Sequence, residues 1–146
     1  MKIAVGCDHR GVGFKEKVKA ILGRLGHEVV DYGTYSEEPV DYPDFGIKVA
    51  QAVRDGVVDY GMTVCWTGNG MNIVANKIRG VRAGLALNPE MAELTRLHND
   101  ANVLTLSQKY TPADQLEEII RKFLETKFEG GRHIPRVDKI SRAEGT

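Results

Sequence analysis

The stretch Thr63-Val-Cys-Trp-Thr-Gly-Asn-Gly-Met-Asn-Ile-Val-Ala-Asn-Lys77 decides how the rest of the chain reads. An apolar, β-favouring run ends at Cys65, turns through Thr67, Gly68, Asn69 and Gly70, and continues as a helical segment. Strand, glycine-rich turn and helix in that order leave backbone N–H groups unpaired and aimed at one spot, where the helix dipole favours negative charge. A thiol stands at the mouth of that anion site. Helix N-termini favour thiolate over thiol, so Cys65 is a candidate nucleophile or proton-abstracting base. Taken alone, Cys65 reads more simply as a small buried strand residue, with the glycines making a tight turn. The rest of the chain weighs on that choice.

Upstream, Lys2-Ile-Ala-Val-Gly-Cys7 suits a buried strand, and Asp8-His-Arg-Gly11 follows it. Phe14, Val18, Ile21, Leu22 and Leu25 then recur at helical spacing, with Gly26 where a C-cap belongs. Glu28 to Gly33 reads as a second strand, and residues 35 to 42 as an acidic loop. Pro43 opens a helix with Phe45, Val49, Ala52 and Val53 on one face, ended by Gly56. Tyr60 to Cys65 is the third strand. Downstream, Arg82 to Leu87 is a fourth strand, Pro89 to about Leu97 a helix, and Val103 to Leu106 a fifth strand. From Thr111 onwards runs the clearest helix, its buried stripe being Leu116, Ile119, Ile120, Phe123 and Leu124.

Short apolar strands alternating with helices predict an α/β, doubly wound three-layer sandwich around a five-stranded parallel sheet. The expected strand order is 2-1-3-4-5, with a further C-terminal helix. Ligands of such folds bind beyond the carboxyl ends of the strands, at the switch point between strands 1 and 3. Asp8 and His9 close strand 1, and Cys65 to Gly70 close strand 3. The chemically capable residues therefore converge on the switch point.

Composition narrows the field. The chain has 146 residues, enough for one domain with its own core. Its 20 basic and 20 acidic residues cancel and 42% of residues are hydrophobic, which argues against disorder and against nucleic-acid binding by bulk charge. No apolar run is long enough to cross a bilayer. Met1-Lys-Ile-Ala-Val runs straight into a strand, so no signal peptide is read and a cytoplasmic location is expected. Cys7 and Cys65 make neither a disulfide framework nor a metal cluster, and a reduced pair is expected.

The glycines do not spell a dinucleotide fingerprint. Gly68-Asn-Gly70 follows the third strand, and Ile73 stands where the third glycine belongs. No Walker A sequence occurs. His9 and His98 read equally as cap or surface residues and as chemical groups. Three arginines, His133 and Lys139 fall between Arg132 and Arg142, just after Gly130-Gly131. A solvated helix face would account for them; Arg132 and Arg136 would also serve as a phosphate clamp.

Across almost its whole length the chain resembles the ribose-5-phosphate isomerase B family, which includes the galactose-6-phosphate isomerase subunits. The motifs carrying the resemblance are Gly6-Cys-Asp-His9, Asp41-Tyr-Pro-Asp44, Cys65 to Gly70, Ala75-Asn-Lys77, Gly80-Val-Arg82, His98-Asn-Asp-Ala-Asn102 and Phe128-Glu-Gly-Gly-Arg-His133 with Arg136. The resemblance implies reversible aldose–ketose isomerisation of a phosphosugar through an enediolate, with no metal and no cofactor. It also implies a homodimer, often paired into a tetramer, whose active sites are shared between subunits, with residues 130–146 forming an extension packed on the neighbour. By the same resemblance Cys65 is the base moving a proton between C1 and C2, and Thr67 shuttles a hydroxyl proton. The cradle from Trp66 through Gly68, Asn69 and Gly70 would hold the enediolate oxygens. His98 would open the sugar ring, Asn99 would contact the sugar, and Asp8 and His9 would hold sugar oxygens or phosphate. Arg132 and Arg136 would clamp the phosphate from the neighbouring subunit.

Two departures stand out. The family turn reads Cys-Gly-Thr-Gly, whereas Trp66 follows the cysteine here, which forbids easy positive φ and adds a wall to the pocket. Lys109 stands where the family commonly has a phosphate-binding arginine, keeping the charge but losing the bidentate fork. A glutamate base used by some members falls at Met71, so Cys65 stays the candidate. Ribose 5-phosphate is the first expected substrate, with a tetrose or hexose phosphate as the alternative. A non-catalytic module binding a phosphorylated ligand would need the cradle but neither Cys65 nor His98.

Overall fold

The strands β1 (Lys2–Cys7), β2 (Glu28–Asp31), β3 (Tyr60–Cys65), β4 (Ala83–Leu85) and β5 (Val103–Ser107) alternate with helices. The helices are α1 (Val12–Arg24), α2 (Tyr42–Arg54), α3 (Asn69–Ala75), α4 (Pro89–Asn99), α5 (Leu116–Glu125) and α6 (Ile134–Ala143). The computed structural model describes residues 1–145. All strand pairings are parallel, so the sheet has one edge of carboxyl ends and one of amino ends. Among the described residues no helix is long and apolar enough to cross a membrane.

The sheet order is β2-β1-β3-β5-β4, which corrects the expected 2-1-3-4-5: the last two strands are exchanged. Burial gives the reason. Every residue of β5 is buried, whereas β4 is only three residues long and all are half-buried. A fully apolar strand gains most between two neighbours, and a short one is tolerated at an edge. The exchange matters for function, because it sets the loop after β5 directly beside the loop after β3.

The two faces of the sheet are built differently. On one, Ile3, Val5, Met62, Val64, Leu104 and Leu106 meet α1 and the whole predicted stripe of α5. On the other, small residues let α2 and α3 lie close. A Cβ at Gly6 or Gly61 would come within 2.7 or 2.6 Å of Val49 methyls. Overpacking of that kind costs about 1–3 kcal/mol.

One cation is wholly buried. Lys15, 0% exposed, sits 2.7 Å from Asp31 Oδ1 and donates to Thr34 O at 2.6 Å. Asp31 also accepts from Gly33 N–H at 2.8 Å and from Lys19 at 2.9 Å. Burial pushes its carboxyl up, but Lys15, Gly33 and Lys19 together outweigh that and hold it below its ordinary 3.8. This knot fixes the backbone from 31 to 34, the root of the loop that reaches over the ends of β1 and β3.

Candidate active site

At the carboxyl edge, β1 and β3 are neighbours, with Cys7 opposite Val64. Asp8, nearly buried, caps the turn that follows β1: its Oδ1 accepts from Gly11 N–H at 3.0 Å. That leaves its second oxygen free of the cap. His9 Nδ1 accepts the Val40 N–H at 3.1 Å. A ring nitrogen that accepts carries no hydrogen, so His9 is a neutral imidazole whose Nε2 holds the proton. A cavity of about 420 Å³ opens here, lined by Asp8, His9, Val40, Asp41, Tyr42 and Asp44 among others.

Cys65 ends β3 with 5% exposure and no disulfide. Its carbonyl and that of Trp66 accept from Gln108 N–H at 3.1 Å and Lys109 N–H at 2.9 Å, which ties the turn to the loop after β5. Gly68 carries the left-handed conformation the turn needs, φ 88°, and a Cβ there would come within 2.6 Å of Leu85. α3 starts at once, and its N-cap residue Gly68 has no side chain to cap it. Thr67 Oγ1 accepts from Asn69 N–H at 3.2 Å and so braces the turn. The other cysteine is unsuited to proton transfer: burial pushes the Cys7 thiol up to about 11, despite the Lys15 charge nearby.

Trp66 takes an unstrained backbone. Among the described residues Asp100 is the non-glycine residue with positive φ. The expected conflict at position 66 is absent because Gly68, two residues on, makes the left-handed turn. The indole is 41% exposed, with the Arg10 guanidinium 5.8 Å and the Lys109 ammonium 6.0 Å from its ring centroid. Two cations therefore stand within cation–π range of the indole beside the cradle. Tyr42, not singled out from the sequence, belongs here too. Its ring lies so close to Gly70 that a Cβ would stand 2.6 Å from it. The usable signal was its place in Asp41-Tyr-Pro-Asp44, just inside the start of α2.

The remaining expected site residues lie elsewhere. α4 returns from the carboxyl edge to the amino edge, and His98 and Asn99 are its last two residues. Asp100 follows with φ 48°, held by Arg96 at 2.9 Å and Arg82 at 3.2 Å. Arg82 also donates to Asn99 O at 3.0 Å, and Asn102 N–H to Arg82 O at 2.9 Å, at the start of β4 and β5. Glu129 N–H donates to Leu97 O at 3.1 Å, so the segment leading to α6 runs past the same point. His133 stacks on His98 with centroids 4.5 Å apart and planes 21° apart. Burial and the neighbouring His98, Arg132 and Arg136 lower the His133 pKa. Arg132 and Arg136 are exposed beside it.

The expected site residues thus fall into two groups. Asp8, His9, Cys65 to Gly70 and Lys109 stand at one edge of the sheet; His98, Asn99, Arg132 and Arg136 stand at the other. About 20 Å of strand separates them. Residues 130–145 fold back on their own chain: Val137 is buried, Gly80 N–H donates to Glu144 Oε1 at 3.0 Å, and Arg79 donates to Gly145 O.

A family model described as Ribose/Galactose Isomerase matches residues 3–140. Ribose-5-phosphate isomerase B of Escherichia coli strain K12 is 43% identical over 143 residues, covering 98% of this chain and 96% of that one. The solved Clostridium thermocellum ribose-5-phosphate isomerase B has a TM-score of 0.96 and 46% identity, covering 99% of this chain and 97% of that one. Mycoplasma genitalium ribose-5-phosphate isomerase B, solved with bound ribulose 5-phosphate, has a TM-score of 0.92 and 39% identity, covering 98% and 95% respectively. Matched from end to end in sequence and fold, the chain belongs to the ribose/galactose isomerase family.

Proposed function

We propose that the chain interconverts ribose 5-phosphate and ribulose 5-phosphate through an enediolate, at sites each completed by two copies of the chain. The observation that carries this is the thiol of Cys65 beside the glycine-capped start of α3, next to Asp8 and the neutral His9. A carbon acid needs a base close to its proton, and the charge that develops on oxygen needs donors already in place. Cys65 removes the proton from C2 and returns it to C1. The N–H groups around Gly68, Asn69 and Gly70 receive the oxyanion, and Thr67 passes the hydroxyl proton. Asp8 and the Nε2–H of His9 hold sugar oxygens or phosphate.

From the second copy, His98 opens the furanose ring, Asn99 contacts the sugar, and Arg132 and Arg136 take the phosphate. Lys109 adds charge from the first copy, and Trp66 forms a wall. The separation of the two groups within one chain supports sharing. So do Leu94 and Ile140, 37% and 46% exposed, which line a cleft of about 420 Å³ beside edge strand β4. The proton transfers use only side chains and backbone groups. A reducing, cytoplasmic setting suits the two free buried cysteines.

The test has two arms. A panel of aldose and ketose phosphates assayed with the purified protein is expected to rank ribose 5-phosphate first. Mixing Cys65→Ala with Arg136→Ala chains is expected to restore activity, because one of the two hybrid sites is then whole. Inactive mixtures, with heterodimers verified, would assign each site to one chain.

A further inference from the structure

We infer that His98, Glu129 and His133 form a reversible binding site for a borderline divalent transition ion of the Zn²⁺ class. Their nitrogen and carboxylate ligand atoms all lie within 4.8 Å of one another. The three come from separate stretches: the last turn of α4, the segment after α5, and the turn Gly131–His133 that leads into α6. Their meeting is built into the backbone, because the Glu129 N–H bonds to the carbonyl of Leu97, next to His98.

A second observation points to a ligand. His133 is only 5% exposed, yet its Nε2 has no hydrogen-bond partner. Its nearest acidic atom, Glu129 Oε2, is 3.6 Å away, beyond hydrogen-bond range. Buried polar atoms are satisfied with few exceptions, and an orphan nitrogen facing a carboxylate and a second imidazole fits a missing cation. Two imidazoles and one carboxylate favour zinc, copper or nickel over magnesium or calcium, which prefer all-oxygen shells. Tetrahedral zinc with bonds near 2.1 Å spaces its ligand atoms by roughly 3.4 Å. The 3.6 Å pair already meets that spacing. Glu129, with a side chain 52% exposed, is free to rotate toward the ion, and the half-buried His98 ring must turn out of its stack on His133 for both imidazoles to ligate it. Three protein ligands leave a fourth position for water or a substrate oxygen. Arg132 and Arg136 bring positive charge close to His133 and weaken the site, which suits reversible occupation.

The consequence for activity rests on the proposed role of His98. Metal bound to its imidazole removes the lone pair that ring opening uses, so occupation inhibits the enzyme.

The test uses the whole protein, Zn²⁺ alone for calorimetry, and Co²⁺ as a spectroscopic probe. Wild type is expected to bind one ion per chain, with the visible absorption of tetrahedral Co²⁺. Glu129→Gln, a surface change outside the proposed catalytic groups, is expected to keep metal-free turnover while binding at least tenfold more weakly and resisting Zn²⁺ inhibition. His133→Ala is expected to lose the Co²⁺ signal. Undiminished binding in both variants, binding lost instead in Cys65→Ala, or no binding in wild type would each overturn the site. Binding that follows Glu129 and His133 but leaves turnover intact would uphold the site and overturn the role given to His98.

Discussion

The two edges of the sheet offer a comparison within one small protein. At the carboxyl edge, the polar groups come from loops rooted in the ends of the three interior strands, β1, β3 and β5, and are held by neighbouring turns. Cys65 O and Trp66 O are bound by the loop after β5, His9 by Val40, and Asp8 by its own cap. At the amino edge, a helix end is clamped instead: Arg82 and Arg96 grip Asp100, the residue that follows His98 and Asn99. The first edge has a thiol and N–H donors, with the Lys109 ammonium and the Arg10 guanidinium near Trp66 and the Lys15 ammonium tied up in its buried pair. The second has two exposed arginines and a pair of imidazoles but no thiol. On the proposed reading, chemistry sits at one end and charge capture at the other, and the two must come together on one phosphosugar.

The sharpest way to break this division is Cys65→Ala. Loss of the base is expected to lower kcat by at least about a hundredfold while phosphosugar binding stays largely intact. Steady-state kinetics with a parallel binding titration checks it, and retained turnover would move the chemistry away from the carboxyl edge.

Next in size is Lys15→Met, which asks how firmly the carboxyl edge is held. Removing the buried ammonium leaves Asp31 with only Lys19 and the Gly33 N–H, and Thr34 O without its donor, and about 3 kcal/mol of stability is expected to go. Denaturant unfolding reads this directly. Because the Asp31 pKa is depressed in the folded protein, its contribution is present above the ordinary carboxylate value and is lost as pH falls through the folded pKa. The gap between wild type and variant is therefore expected to narrow below pH 3.8.

Arg136→Ala probes the amino edge. Loss of a charge-assisted hydrogen bond is expected to weaken substrate binding by roughly 1.5–3 kcal/mol, about ten- to a hundredfold in KM, with kcat less affected. An unchanged KM would remove Arg136 from the clamp.

The smallest expected effect sharpens rather than breaks the comparison. Trp66→Gly is expected to shift the ratio of kcat/KM between phosphosugars of different length by about 1–3 kcal/mol per methylene-sized change. Trp66 is the single tryptophan, so its fluorescence reports on the site independently. A spectrum unmoved by saturating phosphosugar, with an unchanged substrate ratio, would make Trp66 a bystander.

Much of this was legible in the amino-acid order because it depends on local physics. β1 and β3 fall on the expected residues, since a bounded apolar run has one way to pair. The stripe of α5 is buried in full, because helical spacing puts all five side chains on one face. The meeting of Asp8, His9 and Cys65 followed from parallel strands that end at the same edge. What the sequence could not contain was the relation between distant segments. The place of β4 at the edge depends on how much surface each strand buries once all five compete, which leaves it outside β5. Tyr42 against Gly70, Val40 on His9 and the stacking of His133 on His98 each join segments that no spacing rule connects. Position 66 shows the same limit: its backbone strain was expected from one residue, but Gly68 carries the left-handed turn for the whole loop. The separation of His98 from Cys65 was decided by helix direction, for α4 carries His98 back across the sheet to the opposite edge.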